Sequence, residues 1–275
     1  MMQNIFKSEE SRDKIRARYN EILSAFPFKQ LYAETTFGKT FVLESGVSEN
    51  PALILLHGSC SNSASWLGEI SMLSTMFHVL AVDIIGEAGN SAENRPDLNQ
   101  DSYADWLKEV LEAFAIKKAV FIGNSLGSWM ALKFSVKYPD CVSKLILIAP
   151  PGLSAQNADF LRKGKNAELQ NDSLSWDDSV GNEIPKEVEE YINLIIGGYN
   201  PITEELPVFS DEQIMRLAMP ILFIAGKCDV MFDTVYASQR LSKLIPDTKI
   251  HMLENTGHVV LNALEYIIPF LEEGV

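Results

Sequence analysis

The chain predicts an α/β fold built on a mostly parallel sheet. Short apolar runs bounded by turn residues recur along its 275 residues, and longer amphipathic stretches separate them. That length suits one large domain or a domain carrying an inserted lobe, with room for a substantial core.

The runs are Leu53–His57 (LILLH), Val79–Val82, Ala119–Gly123 (AVFIG), Leu145–Ala149, Ile221–Ala225 and Ile250–Leu253. Each is too short for a helix, and most lack apolar–polar alternation, which is the pattern of strands covered on both faces. Tyr103–Phe114, Leu126–Tyr138, Val235–Leu244 and Val259–Leu271 carry helical periodicity between or after them. Strand alternating with helix implies parallel pairing through right-handed crossovers.

Upstream, Gln30–Phe37 and Thr40–Ser45 read as an antiparallel hairpin turning at Gly38-Lys39. Before it, Ser8–Ala25 reads as an amphipathic helix with Ile15, Tyr19, Ile22, Leu23 and Phe26 along one side. Packing of that face on the domain is the first expectation, and a dimer contact is the alternative.

The rhythm fails once at length. From Leu153 to Met219 there is no strand run, and Lys186–Ile196 behind Pro185 is the clearest helix. So long a stretch is too much for a plain loop. The expected organisation is therefore an N-terminal helical extension at 1–28, a core at 29–152 and 219–275, and a helical cap inserted at 153–218.

Composition narrows the function. The net charge is −14, so the chain's field repels phosphate backbones and anionic lipid, and nucleic-acid binding is not expected. Residues 154–218 carry 13 acidic and 5 basic side chains, placing much of the excess on the expected cap. Three scattered cysteines, Cys60, Cys141 and Cys228, form no CxxC pair, arguing against a zinc cage or disulfide framework and for a reducing compartment. The charged N-terminus does not read as a signal peptide, and no apolar run is long enough for a membrane span. A cytoplasmic protein, monomer or homodimer, is the expectation.

The chemistry centres on Gly123-Asn124-Ser125-Leu126-Gly127. The motif is weak alone, but here it joins a strand to a helix. That context forces a sharp turn, and the flanking glycines let the two backbones approach. The turn pushes Ser125 out at the carboxyl edge of the sheet, beside a helix N-terminus that favours negative charge. A hydroxyl nucleophile needs a base. Of four histidines, His57 ends a strand, His78 opens one and His251 lies inside one, whereas His258 lies on the loop after the last strand. In a parallel sheet that loop emerges at the same edge as Ser125. The base needs a carboxylate to hold its tautomer, and Asp229, just past the strand PILFIAG, is the first choice. Asp233 reads as a helix start and Glu254 as a weaker rival. For a developing oxyanion, the backbone N–H groups of Leu126 and Ser59 are the candidate donors. Cys60 reads as a packed cysteine rather than a reactive thiol.

Taken in order, LILLHGS at 53–59, AVDIIG at 81–86, GNSLG at 123–127, GKCD at 226–229 and TGH at 256–258 resemble the α/β-hydrolase superfamily, and within it the small bacterial carboxylesterase-like members. The resemblance spans from about residue 40 to the C-terminus. It implies an eight-stranded sheet with a lid after the sixth strand, two-step acyl transfer through Ser125, His258 and Asp229, a small ester as substrate, and neither metal nor organic cofactor. One departure stands out: the turn Asp83-Ile84-Ile85-Gly86-Glu87-Ala88-Gly89-Asn90-Ser91 is one residue longer than the usual D-x-x-G-x-G-x-S. The same three residues also serve carbon–carbon bond hydrolysis and other acyl transfers, and the fold can act as a ligand receptor without turnover. Trp176, Tyr191, Tyr199 and Phe209 either line an acyl pocket or form the cap's own small core.

Overall fold

A computed structural model describes residues 4–157 and 186–273. Eight strands form one sheet: β1 (Lys29–Thr35), β2 (Gly38–Ser45), β3 (Ala52–Leu56), β4 (His78–Val82), β5 (Ala119–Asn124), β6 (Val142–Ile148), β7 (Ile221–Gly226) and β8 (Lys249–Leu253). Their spatial order is β1-β2-β4-β3-β5-β6-β7-β8. Only β2 runs against its neighbours; the pairs β3–β4, β3–β5, β5–β6, β6–β7 and β7–β8 are all parallel.

The apolar runs lack alternation because both faces of the sheet are covered. Ile54 and Leu56 of β3 point into one layer with Trp106 of α3 (Ser102–Ala113) and Trp129 of α4 (Leu126–Lys137). Leu53 and Leu55 point into the other layer, with Ile15 and Tyr19 of α1 (Glu9–Ser24), Ile70 of α2 (Leu67–Leu73) and Phe270 of α8 (Leu264–Glu272). Each such side chain removed from water contributes on the order of 1.5–3 kcal/mol, set against the ordering of the chain.

The N-terminal helix packs on the domain, as its apolar side implies: Ile15, Tyr19 and Leu23 are buried. Ser8 caps it by accepting from Ser11 N. Ahead of it, an arm pairs with the end of α5 (Lys186–Gly198) through Lys7 N to Gly198 O and Asn200 N to Ile5 O, both 2.9 Å. Lys7 Nζ adds a bond to Ile196 O. A Cβ on Gly198 would meet Ser11 Cβ at 2.8 Å, so the two helices touch where glycine leaves room.

After α5 come the single turn α6 (Asp211–Ile214) and, beyond β7, α7 (Thr234–Leu244). The long strand-free stretch holds no strand among its described residues. Residues 158–185 of the expected cap, Trp176 included, lie outside the described residues. The last helix begins at Leu264, five residues later than its periodicity predicts. Asn262, with φ +56°, is in the left-handed region, which interrupts a helix at that point.

Candidate active site

The Ser125 position is built by steric necessity. β5 ends at Asn124 and α4 starts at Leu126, leaving Ser125 alone to make the turn, at φ 48° and ψ −115°. A non-glycine residue there costs on the order of 1–3 kcal/mol and persists only when its surroundings hold it. Ser125 N donates to Ile148 O at 2.8 Å, tying the turn to β6. A Cβ on Gly123 would lie 2.4 Å from Gly127 O, and one on Gly127 would lie 2.1 Å from Leu56 O. Both glycines are thus required by close backbone approach rather than by a special φ.

Ser125 Oγ donates to His258 Nε2 at 2.9 Å, and His258 Nδ1 donates to Asp229 Oδ2 at 2.8 Å. The three expected side chains, drawn from positions 125, 229 and 258, therefore meet in one chain of hydrogen bonds. Asp229 has a fully buried side chain, and its other oxygen accepts from Met231 N and Phe232 N. With its carboxylate accepting, Nδ1 carries the proton and Nε2 presents a lone pair to the serine. The Phe232 ring lies 5.7 Å from the imidazole of the nearly buried His258.

The rivals are occupied elsewhere. Asp233 caps α7 by accepting from Tyr236 N, and Glu254 pairs with Lys227. His78 bonds Glu44 at 2.8 Å, and His251 stacks on Tyr266. His57 is a scaffold residue: Nδ1 donates to Gly58 O at 2.8 Å, and Nε2 accepts from Ile84 N at 3.0 Å. Burial lowers its pKa, with nearby Asp83 pulling the other way.

The loop after β3 runs beside the elbow, since a Cβ on Gly58 would lie 3.6 Å from Ser125 Cβ. This brings the neighbourhood of Ser59 to the serine. Leu126, opening α4, carries one of the N–H groups that a helix start leaves without an intrahelical partner. Cys60 follows at φ +55° with its thiol pushed up to about 12 by burial, so it is a poor nucleophile.

Sequence reasoning missed the second carboxylate that organises this edge. Asp83, fully buried, accepts from Tyr19 Oη, Ser63 N and Asn90 N at 2.8–2.9 Å, joining α1, the loop after β3 and the turn after β4. Its place directly after a strand was visible; its partners were not. Of the expected cap aromatics, Tyr199 and Phe209 are buried and Tyr191 nearly so, with Tyr191 Oη accepting from Asn62 Nδ2. Among the described residues, no three His, Cys, Asp or Glu side chains converge as a metal site. No helix among them is long and apolar enough to cross a membrane.

A serine at a strand-to-helix elbow on a mostly parallel sheet is a layout that known proteins share. The sequence model of the alpha/beta hydrolase fold matches residues 51–175. A Bacillus subtilis (strain 168) protein called an uncharacterized carboxylesterase, Nap, is 31% identical over 88% of this chain and 85% of its own length. The carboxylesterase YbfK of the same organism is 29% identical over 98% of this chain and 97% of its own. The solved structure of carboxylesterase CesB (YbfK) superposes with a TM-score of 0.83 at 26% identity, covering 97% of this chain and all of that one. This chain belongs to the α/β-hydrolase fold family. Within that family it is an esterase-type hydrolase, similar to the bacterial carboxylesterases.

Proposed function

We propose that the protein cleaves small carboxylic esters through an acyl-enzyme, with Ser125 as nucleophile, His258 as general base and acid, and Asp229 as the group that orients the imidazole. The observation that carries this reading is the unbroken hydrogen-bond chain from Ser125 Oγ through His258 to buried Asp229. Ser125 Oγ forms a bond to the ester carbonyl carbon as its proton passes to His258 Nε2. The N–H groups of Leu126 and Ser59 receive the resulting oxyanion, a contribution of about 10²–10³-fold in rate per donor. Collapse of the intermediate breaks the carbon–oxygen bond to the alcohol, which leaves with the proton from His258. Water then attacks the acyl-enzyme by the same route, with His258 again taking and returning a proton, and frees the acid.

In this reading residues 153–218 form the cap that selects the acyl group over the core at 29–152 and 219–275. The carboxylesterase relatives support ester chemistry for this site. The test is labelling with a fluorophosphonate probe, mapped by mass spectrometry, alongside turnover of an activated aryl ester. A single adduct on Ser125, lost in Ser125→Ala together with turnover, is the expected result. No adduct on the folded protein, or an adduct elsewhere with turnover intact in Ser125→Ala, overturns the proposal.

A further inference from the structure

The turn after β4 is one residue longer than the usual pattern, and Glu87 lies in that longer turn. Its side chain points inward. Glu87 is only 2% exposed, and its Oε2 accepts from Cys60 N at 3.2 Å. Cys60 follows Ser59 directly and holds a left-handed backbone, φ +55°, which a residue with a side chain adopts only when something fixes it. Its peptide N–H is bonded to a buried carboxyl 27 positions away, while the peptide before Ser59 borders the nucleophile. The other carboxyl oxygen, Oε1, is buried without a hydrogen-bond partner among the described residues. Such a group is costly to keep.

The groups around Glu87 come from several elements. The Arg95 guanidinium donates to Tyr199 Oη at 2.7 Å and to Asn200 O at 2.5 Å, and Tyr103 and Cys60 border the same space. Burial raises the Glu87 carboxyl to about 7, with the Tyr199 hydroxyl, Arg95, the Cys60 N–H and the Ser59 hydroxyl pulling it back toward the charged form.

We propose that Glu87 is a positioning residue that fixes the loop of residues 58–60 through the Cys60 N–H, so that the Ser59 N–H faces the oxyanion formed at Ser125. The inference rests on the acyl-transfer reading above, and it adds a side chain that acts on rate without touching the substrate. An oxyanion donor contributes only if its position is set before the reaction, and a backbone donor on a loop has no rigidity of its own.

The test uses two substitutions in the full chain. Glu87→Met fills the space without offering an acceptor. Glu87→Gln keeps an oxygen that can accept from Cys60 N. Both are assayed for kcat and KM on an aryl ester, for the fluorophosphonate labelling rate at Ser125, and for thermal unfolding. The expected result is that Glu87→Met unfolds cooperatively, loses about tenfold or more in kcat and labelling rate, and changes KM by less than about twofold. Glu87→Gln recovers most of the loss. Wild-type kcat and labelling in Glu87→Met would overturn the proposal, as would equal losses in both variants or a loss confined to KM. Should Glu87→Met fail to fold, Glu87→Leu, which also offers no acceptor to Cys60 N, takes its place in the same assays with the same outcomes. Failure of the wild-type protein to label at Ser125 is a different result, which removes the acyl-transfer reading itself.

Discussion

Gly127→Ala is the sharpest probe of how the elbow is made. A methyl group at this position would stand 2.1 Å from Leu56 O, 2.5 Å from Leu56 C and 2.7 Å from His57 O. These are backbone atoms in and just beyond β3, and they cannot rotate aside. Restoring a contact of about 3.5 Å requires α4 to retreat from the sheet by more than about 1 Å. Ser125 sits immediately before that helix and travels with it, whereas His258 stays on the loop after β8. The 2.9 Å contact between them would stretch toward about 4 Å, too long for a hydrogen bond. A misplacement of about 1 Å costs about 10²-fold in rate, and overpacking costs roughly 1–3 kcal/mol of stability. For a domain of this size that lowers Tm by about 2–4 °C per kcal/mol. The assay is kcat on an activated aryl ester together with a thermal melt. Gly68→Ala is the control: Gly68 is an exposed position of α2 with nothing within 4 Å of its Cβ, so it should gain up to about 1 kcal/mol and keep full activity. Wild-type rate and stability in Gly127→Ala would refute the claim that close packing of α4 on β3 sets the position of Ser125.

Asp229→Asn should lower kcat by about 10⁴-fold with the fold intact, because an amide can still accept from Met231 N and Phe232 N but misorients the imidazole. Glu254→Gln should leave kcat unchanged, since it loses only an exposed pair with Lys227; the reverse pattern in the two variants would move the orienting acid to Glu254. Tyr19→Phe removes a fully buried donor to Asp83 and should cost about 1–3 kcal/mol in urea unfolding, and no measurable loss would mean that Asp83 is satisfied without it. The raised carboxyl of Glu87 makes a pH prediction for stability. The folded state keeps this proton up to about 7, whereas the free side chain releases it near 4.5, so its favourable contribution is complete below about 4.5 and is lost as pH rises toward 7. At 1.36 kcal/mol per pH unit the loss approaches about 3 kcal/mol. Glu87→Gln, neutral throughout, should therefore gain on wild type between pH 4.5 and 7, and a pH-independent difference would contradict the buried acid.

The sheet and the candidate site were legible to different depths. All eight strands were visible, six as short apolar runs, which full burial on both faces makes uninterrupted in β4 and β7, and two as a hairpin, whose turn falls at Thr36-Phe37 rather than at Gly38-Lys39. Ser125, Asp229 and His258 were legible because each lies in the turn or loop that follows a strand, and a parallel sheet gathers such positions at one edge. Contacts made across the sequence were not legible. Asp83 meets Tyr19 64 positions away and Glu87 meets Cys60 27 away, and neither pairing leaves a periodic mark on either segment. The start of the last helix was misjudged because Val259–Ala263 is apolar enough to continue the pattern, while a left-handed residue at Asn262 interrupts it. The longer turn after β4 was noticed as a departure in spacing, yet the inward course of Glu87 depends on packing that spacing does not record.

The arm ahead of α1 bears on how the chain is made. Lys7 bonds to Ile196 across 189 positions, and Ile5 and Phe6 join the segment at 199–200 as well. Translation at about 5–20 residues per second delivers those partners roughly 10–40 s after the arm emerges. During that interval Ile5 and Phe6, both buried in the finished fold, have no partner from that segment. The arm thus precedes its partner segment by 189 positions, so nascent chains stalled before about residue 200 should present it to chaperones or proteases, while chains that have folded past that segment conceal it.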